Sequence, residues 1–368
     1  MQARADAPSG GGLRVEGVTF ARGGRTALDR VSFGVARGRV LAVLGPSGAG
    51  KSTLLSLLAG FERPGAGSIA FDGADWRGLD PVAREVGVSF DDAALHEHLS
   101  VAENLDLAAR PLGEGSAARR MRVEEAARAL GVGALLARRP ATLSAGERRR
   151  VSLGRAFVRR PRLALLDEPF ANLDRANRFA VRGLIRALQR ASGATTIVVT
   201  HDPTDALAIA DDLLVLIGGR VRAYGPALEV ATRPPDLEVA QLVDDLGMES
   251  IELADGRAPA GCVLSPALAA SIAAGGPGEA RIGVSAWRLA LLRDGETAAL
   301  VVDATIEAKE PAGAFTDIVA VREDGARMRA RVAAEAALGS QIGSRVRLGA
   351  RSEELHLFGG PFPGSRLG

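Results

Sequence analysis

The stretch GPSGAGKST, residues 45–53, has the types and spacing to hold an anion. Gly45, Gly48 and Gly50 let the backbone curl so that its N–H groups turn inward, with Pro46, Ser47 and Ala49 between them. Lys51, Ser52 and Thr53 come where a helix would open. There the helix N-terminus adds positive potential, Lys51 reaches the β- and γ-phosphates, and Ser52 ligates Mg²⁺. The apolar run VLAVL just before it supplies the strand that such a loop requires. All nine residues are therefore expected to bind nucleotide. Lys51 is also one of only two lysines in the chain, Lys309 being the other.

A second stretch, RLALLDEP at 162–169, is an apolar run ending in two acids. Carboxylates at the C-terminal end of a buried strand are where an α/β sheet binds ligands. Asp167 is expected to hold the metal through water and Glu168 to polarise an attacking water. His201 follows the run TTIVVT in the same way, which favours a functional histidine over a structural one. The segment VSFDDAALHEHLSVAEN, 88–104, crowds further carboxylates and two histidines, His96 and His98, into strand, loop and helix start.

The elements that must position these residues are readable from periodicity. Short β-type runs separated by Gly/Arg turns fill residues 13–45, and a helix starts at Lys51. Strand-like SIAFDG, VGVSF, RLALLDE and TTIVVTHD then alternate with helical stretches near 116–136 and 175–190. That alternation predicts an α/β layer with a largely parallel sheet. The prolines of ATRPPD, 231–236, break the pattern, and beyond DLEVAQLVDDLG the periodicity is that of short strands, predicting a small barrel or sandwich.

The chain has 368 residues, which predicts two or three domains, and 47% are hydrophobic. No run of about 18 apolar residues is present to span a bilayer, and the start MQARADAPSGGG has no apolar segment of a secretory signal. The single cysteine, Cys262, excludes an internal disulfide framework and favours a reducing compartment. With 46 basic and 44 acidic residues the net charge is +2, no basis for nucleic-acid binding.

Between the two phosphate-site motifs lies TLSAGERRRVSLGRAFVRRP, and after them come ANLDR and IVVTHD. This ordered set resembles the nucleotide-binding subunit of ATP-binding-cassette (ABC) transporters, over about residues 13–358. The resemblance implies a P-loop NTPase cassette at 13–235, after a flexible N-terminus at 1–12. The cassette has an antiparallel β subdomain and a helical subdomain at about 92–160. A linker helix at 236–247, a smaller β-rich OB-like regulatory domain at 248–360 and a tail at 361–368 complete the division. It implies that Ser144, Ala145, Gly146 and Glu147 form the signature loop closing on the ATP of a second cassette, Ala145 standing where glycine is usual. Asp174 then belongs to the loop through which two sites communicate. His201 contacts the γ-phosphate, and Glu168, His201 and Lys51 are catalytic. Asp91 takes the place of the glutamine that ligates Mg²⁺ beside Ser52 and Asp167, with His96 and His98 in a loop facing membrane subunits.

The same resemblance implies Mg²⁺-dependent ATP hydrolysis by a dimer. Two membrane permease subunits and a solute-binding protein are the expected partners, on the cytoplasmic side of the inner membrane. The β-rich end is similar to the regulatory domain of import ATPases, with Ser285, Ala286 and Trp287 replacing the usual Arg-Pro-Glu. Such importers take sugars, polyols, glycerol phosphate, polyamines or ferric iron, and carbohydrate-type import leads on family frequency alone. A weakly hydrolysing cassette paired with a more active one, and a non-transport regulator, remain as alternatives. Arg22 sits where an aromatic usually stacks on adenine, so either its guanidinium or Phe20 is the candidate there.

Overall fold

The computed structural model describes residues 11–90, 95–274, 280–293, 295–359 and 362–366. They divide into two compact units, Met1–Leu228 and Glu229–Gly368. The first unit begins β1 (Gly12–Arg22), β2 (Arg25–Ala36), β3 (Val40–Leu44), α1 (Lys51–Ala59), β4 (Ala66–Phe71), β5 (Ala74–Asp75) and β6 (Val86–Ser89). Helices α2 (Val101–Ala109), α3 (Ser116–Ala129) and α4 (Ala145–Phe157) follow. The unit closes with β7 (Leu163–Asp167), α5 (Arg175–Ser192), β8 (Thr195–Thr200), α6 (Pro203–Ile209), β9 (Asp212–Ile217) and β10 (Arg220–Pro226).

The central sheet runs in the order β10-β9-β3-β8-β7-β6, parallel except for β10 at one edge. Every residue of β3, β7 and β8 is buried, as strands covered on both faces must be. Alternate side chains divide between the two faces. Leu41, Val43, Leu163, Leu165, Ile197 and Val199 join α1 and the antiparallel sheet β2-β1-β4-β5 in one core. Val40, Ala164, Leu166 and Val198 join α2, α3, α4 and α5 in the other. The helices that frame the site begin at readable caps. Ser100 with Glu103 opens α2 and Ser144 with Glu147 opens α4, each as a reciprocal capping box, and Asp174 caps α5.

In the second unit α7 (Ala227–Thr232), which begins in the first, leads past Pro234 and Pro235 to α8 (Leu237–Val243). Then come β11 (Met248–Leu253), β12 (Cys262–Leu264), α9 (Pro266–Ala274), β13 (Ala280–Ser285), β14 (Ala290–Leu291) and β15 (Leu300–Ala312). β16 (Phe315–Arg322), β17 (Arg327–Ala333), β18 (Arg345–Ala350), β19 (Leu355–Gly359) and β20 (Phe362–Arg366) end the chain. Two antiparallel sheets result, β11-β13-β19-β20 and β14-β18-β15-β16-β17, with β12 paired to β15. Ile251, Ile282 and Leu357 from the first share one core with Val302, Ile318, Ala330 and Leu348 from the second. No helix among the described residues is long and apolar enough to cross a membrane.

Candidate functional site

Parallel register brings the chemistry to one edge. Leu44 of β3 pairs with Thr200 of β8, and Asp167 of β7 pairs with Val199. Gly45, Glu168 and His201 therefore leave the sheet together at the C-terminal ends of its strands, where ligands bind in such sheets. The edge strand β6 ends there too, Ser89 pairing with Leu166.

The loop after β3 curls back on itself. Gly50 adopts φ +101° as the N-cap of α1, and no side chain caps the helix and no acid lies in its first turn. The N–H groups of that turn are thus left for an incoming anion. A Cβ at Gly50 would fall 2.6 Å from the Ala27 carbonyl oxygen, and one at Gly45 only 2.1 Å from that of Leu216. Lys51 is 9% exposed, and its ammonium donates to the carbonyls of Gly45 at 2.7 Å and Pro46 at 3.0 Å. Burial lowers its pKa, while the charges of Glu168 and Asp167 pull it back up. Ser52 is exposed beside it.

Asp167 is buried at the end of β7, and Glu168 stands in the left-handed region at φ +44°, a conformation that costs energy for a residue with a Cβ. The neighbouring strand holds it there, the Val199 carbonyl accepting the Glu168 N–H at 3.0 Å. Its carboxylate Oε1 lies 2.9 Å from His201 Nδ1, and the histidine is largely exposed. A buried ammonium, a helix N-terminus without its own cap and a pair of acids suit a triphosphate with its metal. Ser52 and Asp167 are the residues here that would hold Mg²⁺. Mg²⁺ held by them would supply charge neutralisation at the phosphoryl oxygens. Lys51 places a positive charge in the loop, Glu168 is a carboxylate with the chemistry of a proton acceptor, and His201 lies within hydrogen-bond distance of it.

The segment 144–147 opens α4. Ser144 Oγ accepts the Glu147 N–H at 3.3 Å and Glu147 Oε2 accepts the Ser144 N–H at 2.8 Å, a bond that lowers the Glu147 pKa. Ser144 and Ala145 are exposed, while Gly146 lies against Asn177 of α5. Asp174 accepts the Asn177 N–H at 2.9 Å as the cap of α5. Asp91 lies outside the described residues. The rings of His96 and His98 meet edge to face with centroids 5.9 Å apart, and no group of three or more metal-ligating side chains occurs among the described residues. Arg22 is paired with Glu62 at 2.7 Å, and its guanidinium carbon is 6.0 Å from the Phe20 ring. Phe20 itself belongs to the core, only 9% exposed, so its ring is committed to packing rather than offered to a base.

Several shaping residues carry no local sequence signal. Asn104, fully buried, accepts the His96 N–H at 2.9 Å and donates to the carbonyls of His96 and Ser100, pinning the loop before α2. Arg178, Asp202 and Asp205 join α5 to the segment after His201. Only Asp202 had a readable sign, an Asp-Pro pair at a helix start.

The chain is similar to known proteins over its length. The family model described as ABC transporter matches residues 28–171. The sn-glycerol-3-phosphate import ATP-binding protein UgpC of Chromohalobacter salexigens is 37% identical over 352 residues, 94% of each chain. UgpC 1 of Rhizobium johnstonii is 42% identical over 240 residues, 65% of each chain. Among solved structures, cbiO1 of Clostridium perfringens, part of the ABC transporter complex cbiONQ, superposes with a TM-score of 0.56 at 29% identity, covering 60% of this chain and 91% of that one. An ATP-binding cassette of an ABC transporter in its ADP conformation gives 0.55 at 26%, covering 62% and 98%. With a phosphate-binding loop, an acid pair and a histidine gathered at one sheet edge, and with a relative aligned over 94% of its length, the chain belongs to the ATP-binding subunits of ABC importers, Mg²⁺-dependent ATPases that power uptake of small solutes.

Proposed function

We propose that this chain drives import of sn-glycerol 3-phosphate or a related carbohydrate or polyol. It works as one of a pair of cassettes bound to two membrane permease subunits on the cytoplasmic face, served by a solute-binding protein. The observation that carries the solute class is the 94% mutual coverage with the glycerol-phosphate relative, which extends through the β-rich second unit. Within the site, Lys51 and the other residues at 45–53 bind the phosphates, Ser52 and Asp167 hold Mg²⁺, with Asp91 assigned there from the sequence alone. Glu168 acts on the attacking water with His201 beside it. Residues 144–147 serve the partner cassette, and Asp174 communicates with it. Docking on a permease is supported by Phe61 and Phe90, 54% and 41% exposed with ring centroids 6.0 Å apart.

The test is reconstitution of the chain with its permeases and binding protein in vesicles. ATP-dependent uptake of labelled sn-glycerol 3-phosphate is compared with that of a disaccharide, a polyol and a polyamine. Glu168→Gln should cut turnover by about 10²-fold or more while ATP affinity stays within a few-fold, because its carboxylate acts mainly in the transition state. Hydrolysis at the parental rate in that variant would overturn the site assignment. Polyamine uptake with none of the other three would overturn the solute class.

A further inference from the structure

The first turn of α5 is bonded in two directions at once. Asp174 Oδ1 accepts the Asn177 backbone N–H at 2.9 Å and Oδ2 accepts its side-chain N–H at 2.6 Å. This fixes the amide, whose Oδ1 lies 3.2 Å from where a Cβ on Gly146 would stand, against segment 144–147. The next residue, Arg178, reaches elsewhere. Its Nε–H donates to the Leu173 carbonyl at 3.1 Å, and Nη1 donates to Asp202 Oδ2 at 2.6 Å and Asp205 Oδ2 at 3.2 Å.

Those acids are themselves anchored. Asp202 follows His201 and caps α6, its Oδ1 accepting the N–H groups of Thr204 at 2.8 Å and Asp205 at 3.1 Å. Asp205 is 1% exposed and is also held by Arg182 Nε at 2.7 Å, one turn along α5. Beyond this turn the 18-residue α5 is seated by Val181, Ile185 and Leu188 in the core. A planar guanidinium meeting three acceptors on two segments fixes their separation in a way a single ammonium cannot.

We propose that Arg178 is a positioning residue for the hydrolytic site. It locks loop 171–174 to the segment carrying His201, and with Asn177 against Gly146 it makes the first turn of α5 a bracket joining a chain's own histidine to the loop that serves its partner's nucleotide. The inference rests on the proposed roles of Glu168, His201 and residues 144–147. Displacements of about 1 Å at such a site can cost about 10²-fold in rate, so a bracket of this kind matters even though its residues lie outside the phosphate loop.

The experiment uses the full chain with Arg178→Lys, Asn177→Ala and, in parallel, Glu168→Gln. Arg178→Lys keeps the charge and loses the fork. It should hold ATP affinity within about threefold while kcat falls at least about tenfold and the Hill coefficient for ATP drops toward one. Asn177→Ala should lower the Hill coefficient more than kcat. In the nucleotide-free protein, amide exchange should rise together at 171–174 and 201–205 in Arg178→Lys, and at 144–147 in Asn177→Ala. Unchanged kcat and Hill coefficient in Arg178→Lys, or faster exchange in only one of its two segments, would overturn the proposal. If Arg178→Lys does not fold, Asn177→Ala decides alone, and a parental Hill coefficient there rejects the bracket. Parental hydrolysis by Glu168→Gln would instead fault the site assignment on which the bracket depends.

Discussion

Gly50 is held where a side chain has no room. Its φ of +101° disfavours any residue with a Cβ, and that Cβ would stand 2.6 Å from the Ala27 carbonyl oxygen and 2.8 Å from a Leu28 methyl. The backbone carbonyl cannot move aside as a flexible side chain could. Gly50→Ala should therefore destabilise the subunit by about 1–3 kcal/mol and weaken ATP binding, because the same peptide starts the helix whose N–H groups meet the phosphates. Thermal unfolding and nucleotide titration of the full chain check this, and stability and affinity both at parental levels would rule it out. Glu168, unlike Gly50, carries a Cβ at positive φ, +44°, and it persists because β8 accepts its N–H. Its side chain thereby reaches His201.

At the scale of elements, some of the architecture was legible and some was not, for a physical reason. Capping boxes are local, so Ser100 with Glu103 and Ser144 with Glu147 announce their helices in the sequence. The nine-residue phosphate loop and the acids at the end of β7 are legible too, since spacing along one strand-to-helix turn dictates their geometry. Arg84 leaves no such trace in a chain whose basic residues are nearly all arginine. It is 1% exposed, and Nη1 donates to the carbonyls of Leu57 at 2.6 Å and Leu58 at 2.9 Å, closing the C-terminus of α1. Nη2 donates to Trp76 O at 2.7 Å and Nε to Leu79 O at 3.0 Å, with the guanidinium 5.5 Å from the Trp76 ring. Its partners are backbone carbonyls scattered over 57–79, which side-chain pattern cannot reveal. Arg84→Met takes this donor from the buried carbonyls of Leu58 and Leu79, while those of Leu57 and Trp76 keep the N–H groups of Gly60 and Leu79, at the far end of the helix that presents Lys51. It should cost about 3 kcal/mol or more in urea unfolding, and Arg84→Lys less. A loss under about 1 kcal/mol for the Met variant would show that the arginine is dispensable.

At the scale of the whole molecule, each compact unit has a core of its own. The cassette's two cores flank the central sheet, and the second unit's core lies between its own antiparallel sheets. The prolines after α7 mark the change in the sequence, and α8 belongs to the second unit. Leu237 and Ala240 pack with Met248 and Phe358, and Asp236 caps the helix by accepting the Val239 N–H at 2.9 Å. A chain ending at Thr232 should therefore unfold cooperatively and bind Mg·ATP within a few-fold of the full chain, because no residue of the phosphate loop, the acid pair or the histidine lies beyond it. A chain ending at Gly247 keeps α8 but lacks Met248 and Phe358, leaving the helix's apolar face uncovered. It should bind nucleotide equally well, yet take up more hydrophobic dye and aggregate at lower concentration. Light scattering, dye fluorescence and nucleotide titration separate the outcomes. If the chain ending at Thr232 neither folds nor binds ATP while the one ending at Gly247 does both, α8 is part of the cassette and the division between the units belongs after it.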